Sequence, residues 1–268
     1  MQIDQSLQDE LRGVARACAD AARVETLRYF RGAGLLADDK DPGAGFDPVT
    51  QGDRAGEAAM RAVLAELRPG DGILGEEQAA IPSQTGLTWV LDPIDGTRGY
   101  LAGTPTWGTL IAVHAGGAPV YGIVDQPYIG ERFEGGFGAA QWSRAGAARD
   151  LRTRQTVTLD QAILFTTFPE VGTADERRGF EAVAAQVLLT RYGMDCYAYA
   201  LVAAGHADLV IEAGLQPYDI QGPMAVVEGA GGVVTAWDGG PAEGGGRVIA
   251  AANPVIHAAA LALLAAAS

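Results

Sequence analysis

A chain of 268 residues with a net charge of −14 lacks the basic footprint that non-specific nucleic-acid binding needs. It is 48% hydrophobic but has no apolar run long enough to span a bilayer, and two cysteines, Cys18 and Cys196, cannot build a disulfide framework. The polar start Met1-Gln2-Ile3-Asp4-Gln5 has no basic signal-peptide region, so a cytoplasmic protein with neither nucleic-acid nor membrane partners is expected.

Apolar residues recur at helical spacing from Gln5 to Arg31, with Cys18 on the apolar stripe as a core residue. Gly32 to Gly45 reads as a loop that holds Lys40, the only lysine. Asp53 to Leu67 reads as a second helix, closed by Pro69-Gly70, with Asp53 able to serve as its N-cap. Ile73-Leu74 and Trp89–Leu91 are short strands. Thr109–His114 and Val120–Val124 form a hairpin about Gly116-Gly117. Glu131 to Phe137 and Thr156 to Leu159 are expected to extend that antiparallel sheet. A second lobe starts with the strand Ala162–Thr167, followed by helices over Thr173–Thr190 and Tyr197–Gly205 and a strand over Asp208–Glu212. Pro223–Ala230 reads as a helix closed by Gly231-Gly232, then strands over Val233–Trp237 and Val248–Ala251, and a last helix from Pro254 to Ala267. Helices and strands mixed throughout indicate α/β layers. One domain over 1–268 is expected, with a lobe of about 1–150 bearing most of the candidate acids and a lobe of about 151–268 bearing Asp219.

The chemistry concentrates in Trp89-Val90-Leu91-Asp92-Pro93-Ile94-Asp95-Gly96-Thr97. Two carboxylates this close at the end of a strand repel unless cations lie between them. Oxygen-rich sites of this type suit Mg²⁺, especially when substrate phosphate completes the shell. A helix opening at Gly96-Thr97 offers free N–H groups to that phosphate. Other acids follow apolar runs: Glu76 and Glu77 after Ile73-Leu74, and Asp219 in Gln216-Pro217-Tyr218-Asp219. No serine, cysteine or histidine sits in a nucleophile motif, and His114, His206 and His257 read as strand, turn and helix residues.

With Asp47-Pro48-Val49-Thr50-Gln51-Gly52-Asp53, Gly75-Glu76-Glu77, the Asp92–Thr97 segment, Gln216–Ile220 and Glu228-Gly229-Ala230-Gly231-Gly232 in this order, the chain resembles the inositol monophosphatase family of Mg²⁺-dependent sugar-phosphate phosphatases. The likeness runs from about Asp47 to Trp237. Gly103–Ala112, Gly122–Pro127, Gly130–Phe133 and Arg191–Tyr199 resemble its histidinol-phosphatase branch more narrowly. Met194, where that branch usually has glycine, and Gly222, where it usually has alanine, depart from it.

The resemblance implies a five-layer αβαβα sandwich and two or three Mg²⁺ ions. One would bind Glu76, Asp92 and the Ile94 carbonyl, and another Asp92, Asp95 and Asp219. A third, weaker ion would lie near Glu76, with Glu77 just outside. Thr97, with Glu76 or Asp53 behind it, would orient and deprotonate a metal-bound water, while Asp95, Gly96 and Thr97 would hold the phosphate. Arg98 either aids the phosphate or pairs at the surface. Gly193, Asp195 and Glu212 match substrate-contact positions. Asp195 beside Glu212 would favour a cationic substrate such as L-histidinol phosphate, although Asp195 could instead pair with Arg191. A homodimer is implied by analogy, with Trp107 either at a dimer-side wall of the pocket or in the core. Rival readings are an inositol-1-phosphate or 3′-phosphoadenosine 5′-phosphate phosphatase, a non-catalytic metal-binding relative, and a cation-stabilised scaffold.

Overall fold

A computed structural model describes residues 3–32, 35, 37–39 and 48–267. Lys40 and Asp47, singled out above, lie outside the described residues.

In chain order the elements are α1 (Gln5–Tyr29), β1 (Ala37–Asp39), β2 (Pro48–Thr50), α2 (Gln51–Leu67), β3 (Gly72–Gly75), β4 (Leu87–Asp95), α3 (Thr97–Ala102), β5 (Gly108–Ala115), β6 (Ala118–Gln126), β7 (Glu131–Gly136), β8 (Ala139–Arg144), β9 (Ala147–Asp150), β10 (Ile163–Thr166), α4 (Ala174–Ala184), β11 (Leu189–Tyr192), α5 (Cys196–Ala203), β12 (Leu209–Leu215), α6 (Pro217–Gly229), β13 (Val233–Ala236), β14 (Gly246–Ala251) and α7 (Pro254–Ala266). Seven strands form one sheet in the order β3-β4-β5-β6-β7-β8-β9, and five form another in the order β11-β10-β12-β14-β13. The pair α1/α2 covers the outer face of the first sheet, α5 and α6 lie between the sheets, and α4 and α7 cover the outer face of the second. This is the expected αβαβα sandwich.

Both faces of each sheet are covered, so the central strands are apolar on both sides. In β5, Ile111 and Val113 pack against Leu11, Val14, Cys18 and Met60 of the outer helices, whereas Leu110 faces the middle layer with Ile220 and Val226. In β12, Leu209 and Ile211 pack outward against Phe180 and Leu264, and Val210 faces inward. Buried Asp125 ties α1 to the sheet, accepting from Arg23 at 2.7 and 3.1 Å and from Arg132 at 2.7 Å. Trp107 is fully buried against Phe30, Ile94 and Tyr100, which makes it a core residue.

Some predicted elements differ. The residues 156–159 add no strand; β8 and β9 extend the sheet instead, joined by a turn with Ala145 (φ 49°) and Gly146 (φ 83°) both left-handed. The helix from Thr173 ends at Ala184, because the chain leaves it to pair Leu189–Tyr192 in parallel with β10. The helix expected from Pro223 starts six residues earlier at Pro217, and Pro223 is inside it. Proline suits the first helical position, which Pro217 takes; packing between the sheets carries the helix past the second proline despite its missing N–H.

Helix α6 lies unusually close to the first sheet. A Cβ at Gly135 would sit 2.3 Å from Val226 Cα, and one at Gly122 would sit 2.6 Å from the Gly222 carbonyl oxygen. A Cβ at Gly222 would sit 3.1 Å from the carbonyl oxygens of Ile111 and Ile123, so the glycine at this departure suits a tighter approach than alanine would have without a small shift. Gly135→Ala is therefore expected to destabilise the fold by about 1–3 kcal/mol through overpacking. A lower urea midpoint checks this; an unchanged midpoint would show that α6 can move away freely.

Candidate active site

The site forms where strand ends of the first sheet meet helix starts of the middle layer. Strands β3 and β4 run parallel, with Gly75 opposite Leu91 and Glu76 N–H donating to the Leu91 carbonyl at 3.2 Å. Register therefore sets Glu76 beside Asp92 at the same edge. In a regular strand, Asp92 and Asp95, three residues apart, point to opposite faces. Here Asp92 pairs with Leu110 and Asp95 with Gly108, so β4 spends three steps where β5 spends two. The extra residue is a β-bulge, which accommodates Pro93 and turns both carboxylates the same way. Asp219, third residue of α6, completes the group: oxygens of Asp92, Asp95 and Asp219 lie within 4.8 Å of one another.

The supports are local. Glu57, fully buried on α2, accepts from Glu77 N at 2.7 Å, Gln78 N at 3.1 Å and Arg61 Nε at 2.7 Å, which holds the turn bearing Glu76. Gly75 is required beside it, since a Cβ would lie 2.3 Å from Glu57 Oε1. Asp92 Oδ1 accepts from Ile94 N at 2.9 Å. Asp95 Oδ2 accepts from Cys196 N, at the start of α5, at 2.6 Å. Asp219 Oδ2 accepts from Gln216 N at 2.7 Å. Thr50 is the N-cap of α2, and Asp53 is its partner in a capping box, accepting from Thr50 N at 2.8 Å and Thr50 Oγ1 at 2.6 Å. Thr97 Oγ1 lies 3.4 Å from the other Asp53 oxygen and 3.1 Å from the Ile94 carbonyl. Asp53 thus joins the cap to Thr97.

Burial, with Glu76, Asp95 and Asp219 around it, raises Asp92 well above the usual carboxylate range. Burial, with Asp195 and Asp219, does the same to Asp95, against the Cys196 N–H bond. The charged forms of these acids call for an added cation, and an all-oxygen donor set within 4.8 Å fits a hard divalent ion.

The cleft encloses about 420 Å³ and runs from Glu76, Asp95, Gly96, Thr97 and Asp219 to Asp195, Thr167 and Glu212. Gly96 has φ 82°, and a Cβ there would meet Asp195 Cγ at 2.7 Å, so glycine lets the two ends touch. Asp195 itself has φ 46°, a strained value for a non-glycine residue. Its carboxylate lies 3.5 Å from Thr106 Oγ1 and feels the charge of Arg98; among the described residues no ion pair joins it to Arg191. Glu212 accepts from Thr167 N at 2.7 Å, Thr167 Oγ1 at 2.9 Å and Thr166 Oγ1 at 3.1 Å. Burial, with the charge of Asp195, pushes Glu212 up to about 7 despite these bonds.

Gly193 and Met194 do not line the cleft: Met194 packs on the central core. Sequence reasoning missed Tyr199, Phe168 and the clamp residue Glu57. Phe168 stacks beneath the Arg98 guanidinium, 5.0 Å from ring centre, at the rim. His114 and His257 hydrogen-bond Gln221 and Thr235, away from the cleft.

A cluster of oxygen ligands for divalent ions, beside helix starts in an αβαβα sandwich, is the working arrangement of a metal-dependent phosphoric monoester hydrolase. The chain belongs to the inositol monophosphatase family, whose family model matches residues 7–268. It is 39% identical over 233 residues to the chloroplastic bifunctional phosphatase IMPL2 of Arabidopsis thaliana, covering 86% of this chain and 65% of that protein. It is 34% identical over 247 residues to the histidinol-phosphatase of Mycobacterium tuberculosis, covering 91% and 94%. An inositol monophosphatase structure from Zymomonas mobilis superposes with a TM-score of 0.85 at 37% identity, covering 98% of this chain and all of that one. Members of this family hydrolyse small phosphate esters with metal ions. No described helix is long and apolar enough to cross a membrane.

The raised acids give a signed expectation. A carboxylate raised in the folded state binds more protons there than when unfolded, so it lowers stability as pH rises from about 4. The chelated protein should therefore lose thermal stability toward neutral pH, and Mg²⁺ should restore more at pH 7.5 than at pH 5. Asp92→Asn should melt higher than wild type when both are chelated. A Mg²⁺ increment independent of pH, or a lower-melting chelated variant, contradicts this.

Proposed function

We propose that this chain is a Mg²⁺-dependent phosphatase of L-histidinol phosphate, serving histidine biosynthesis in the cytoplasm as a homodimer. The observation that carries the substrate is the pair of carboxylates, half-buried Asp195 and buried Glu212, at the end of the cleft away from Thr97. A polyol needs no such charge, whereas the ammonium of histidinol takes charge-assisted hydrogen bonds from it. Phe168 at the rim gives the imidazole an apolar wall. The histidinol-phosphatase relative supports the same choice.

Glu76, Asp92, the Ile94 carbonyl, Asp95 and Asp219 would hold two or three Mg²⁺ ions, with Asp92 shared, the first lobe supplying all but Asp219. Such ions, when bound, neutralise phosphate charge and acidify the attacking water. The N–H groups of Gly96 and Thr97 bind phosphate oxygens at the start of α3. The Thr97 hydroxyl, poised between Asp53 and the Ile94 carbonyl, orients the water, and Asp53 or Glu76 receives its proton. Asp195 and Glu212 orient the leaving alcohol. An inositol phosphate is the second reading, favoured by the Zymomonas structural likeness: near pH 7 a partly protonated Glu212 can also bond a hydroxyl.

Phosphate release from L-histidinol phosphate, myo-inositol 1-phosphate and 3′-phosphoadenosine 5′-phosphate, with Mg²⁺ and then chelated, tests the reading. Strong preference for histidinol phosphate, lost on chelation, is expected; preference for either other ester overturns the substrate. Asp92→Asn should lower kcat about 1,000-fold or more with every ester, and a variant that keeps near-normal turnover contradicts the ligand set. Glu212→Gln should raise KM for histidinol phosphate about tenfold and leave the inositol ester little changed. Because Glu212 gains its charge above about 7, the preference for histidinol phosphate over inositol phosphate should weaken as pH falls through that value. A preference flat with pH would show that Glu212 charge plays no part.

A further inference from the structure

Tyr199 sits one helical turn beyond Asp195 on α5, is 3% exposed and lines the cleft. Its hydroxyl is buried and has no hydrogen-bond partner among the described residues. Nearly all buried polar groups are paired, because an unmade bond costs stability. An orphan hydroxyl on a residue that lines a ligand cleft therefore points to an atom that arrives with the ligand.

Its position says which atom. The carboxylates that bear on Tyr199 are Glu212, Asp95 and Asp219. Glu212 belongs to the leaving-alcohol end and the other two to the phosphate end. An ester lying along the cleft passes Tyr199 where phosphate joins alcohol. We infer that Tyr199 Oη donates a hydrogen bond to the bridging ester oxygen, which makes it a catalytic residue. The inference rests on the assignment of the two ends proposed above.

In the reaction, the water oxygen bonds to phosphorus and the phosphorus–ester oxygen bond breaks. Its electron pair stays on the leaving oxygen, and the water's proton reaches that oxygen through solvent to complete the alcohol. Tyr199 keeps its own proton. Its O–H, pre-aimed in a buried site, stabilises the negative charge that grows on the leaving oxygen. The benefit is greatest when the leaving alkoxide is strongly basic and small when the leaving group is already a stable anion.

Tyr199→Phe removes only the hydroxyl. With Mg²⁺ present, its kcat should fall about 10–100-fold for an alkyl ester, L-histidinol phosphate or myo-inositol 1-phosphate. For p-nitrophenyl phosphate, whose leaving group is weakly basic, kcat should stay within about threefold. The melting temperature should hold or rise, since the lost hydroxyl had no partner. Equal losses for both ester types, no loss for either, or a melting temperature several degrees lower overturns the inference. Wild-type turnover separates the two claims. If wild type prefers inositol phosphate, the substrate reading fails while the Tyr199 test stands on that ester; if wild type hydrolyses none of them, both fail.

Discussion

Repulsion among clustered carboxylates, buried Asp92 and its half-buried neighbours, is the constraint around which the rest of the molecule is arranged. Asp92, Asp95 and Asp219 stand within 4.8 Å of one another, with Glu76 beside them. Left alone, such a group would take up protons or push apart. Burial favours the first, and the fold resists the second. Parallel pairing of β3 and β4 fixes Glu76 against Asp92, the bulge fixes Asp95, and the α6 capping box fixes Asp219. Glycines at 122, 135 and 222 hold α6 hard against the sheet, so the last of these acids cannot drift away. Divalent cations bound among these acids would relieve that repulsion, which would couple ion binding to the stability of the cleft.

The two ends of the cleft are built on different principles. On the proposed reading, backbone would carry the recognition at the phosphate end: the bulge carbonyl of Ile94, the amides at Gly96 and Thr97, and the N–H of Cys196 on Asp95. At the other end, side chains carry it, with Glu212 clamped by Thr166 and Thr167, and Asp195 held in a strained conformation against Gly96. Backbone at +46° is tolerated at Asp195 at a cost of about 1–3 kcal/mol, and it sets the carboxylate in the cleft wall against Gly96.

Much of this was visible in the chain. Asp92, Asp95, Glu76 and Asp219 announce themselves because each lies at the end of an apolar strand or a turn, and the Gly96-Thr97 step marks a helix start. Mixed helix and strand patterns indicate α/β layers, and the family resemblance sharpens them to a five-layer sandwich. What stayed hidden needs contacts distant in sequence. Glu57 reads as an ordinary helix acid until its oxygens are seen to hold the turn after Glu76. Tyr199 reads only as a helix residue, and nothing in the sequence marks Phe168. The β8–β9 hairpin lacked the usual signal because Ala145, not glycine, takes the first left-handed turn position. The helix ending at Ala184 was over-extended because alanine and leucine continue helical periodicity into residues that the parallel partner β10 draws into the sheet.

The most direct test of the central claim is to locate the cation. Crystals grown with Mn²⁺ in place of Mg²⁺ and measured near the manganese edge would show anomalous peaks wherever the ion binds. The account predicts strong peaks between Asp92, Asp95 and Asp219 and between Asp92 and Glu76. Peaks confined to other acids, or none at Asp92, would contradict it, because the buried carboxylates would then be held together by something other than metal.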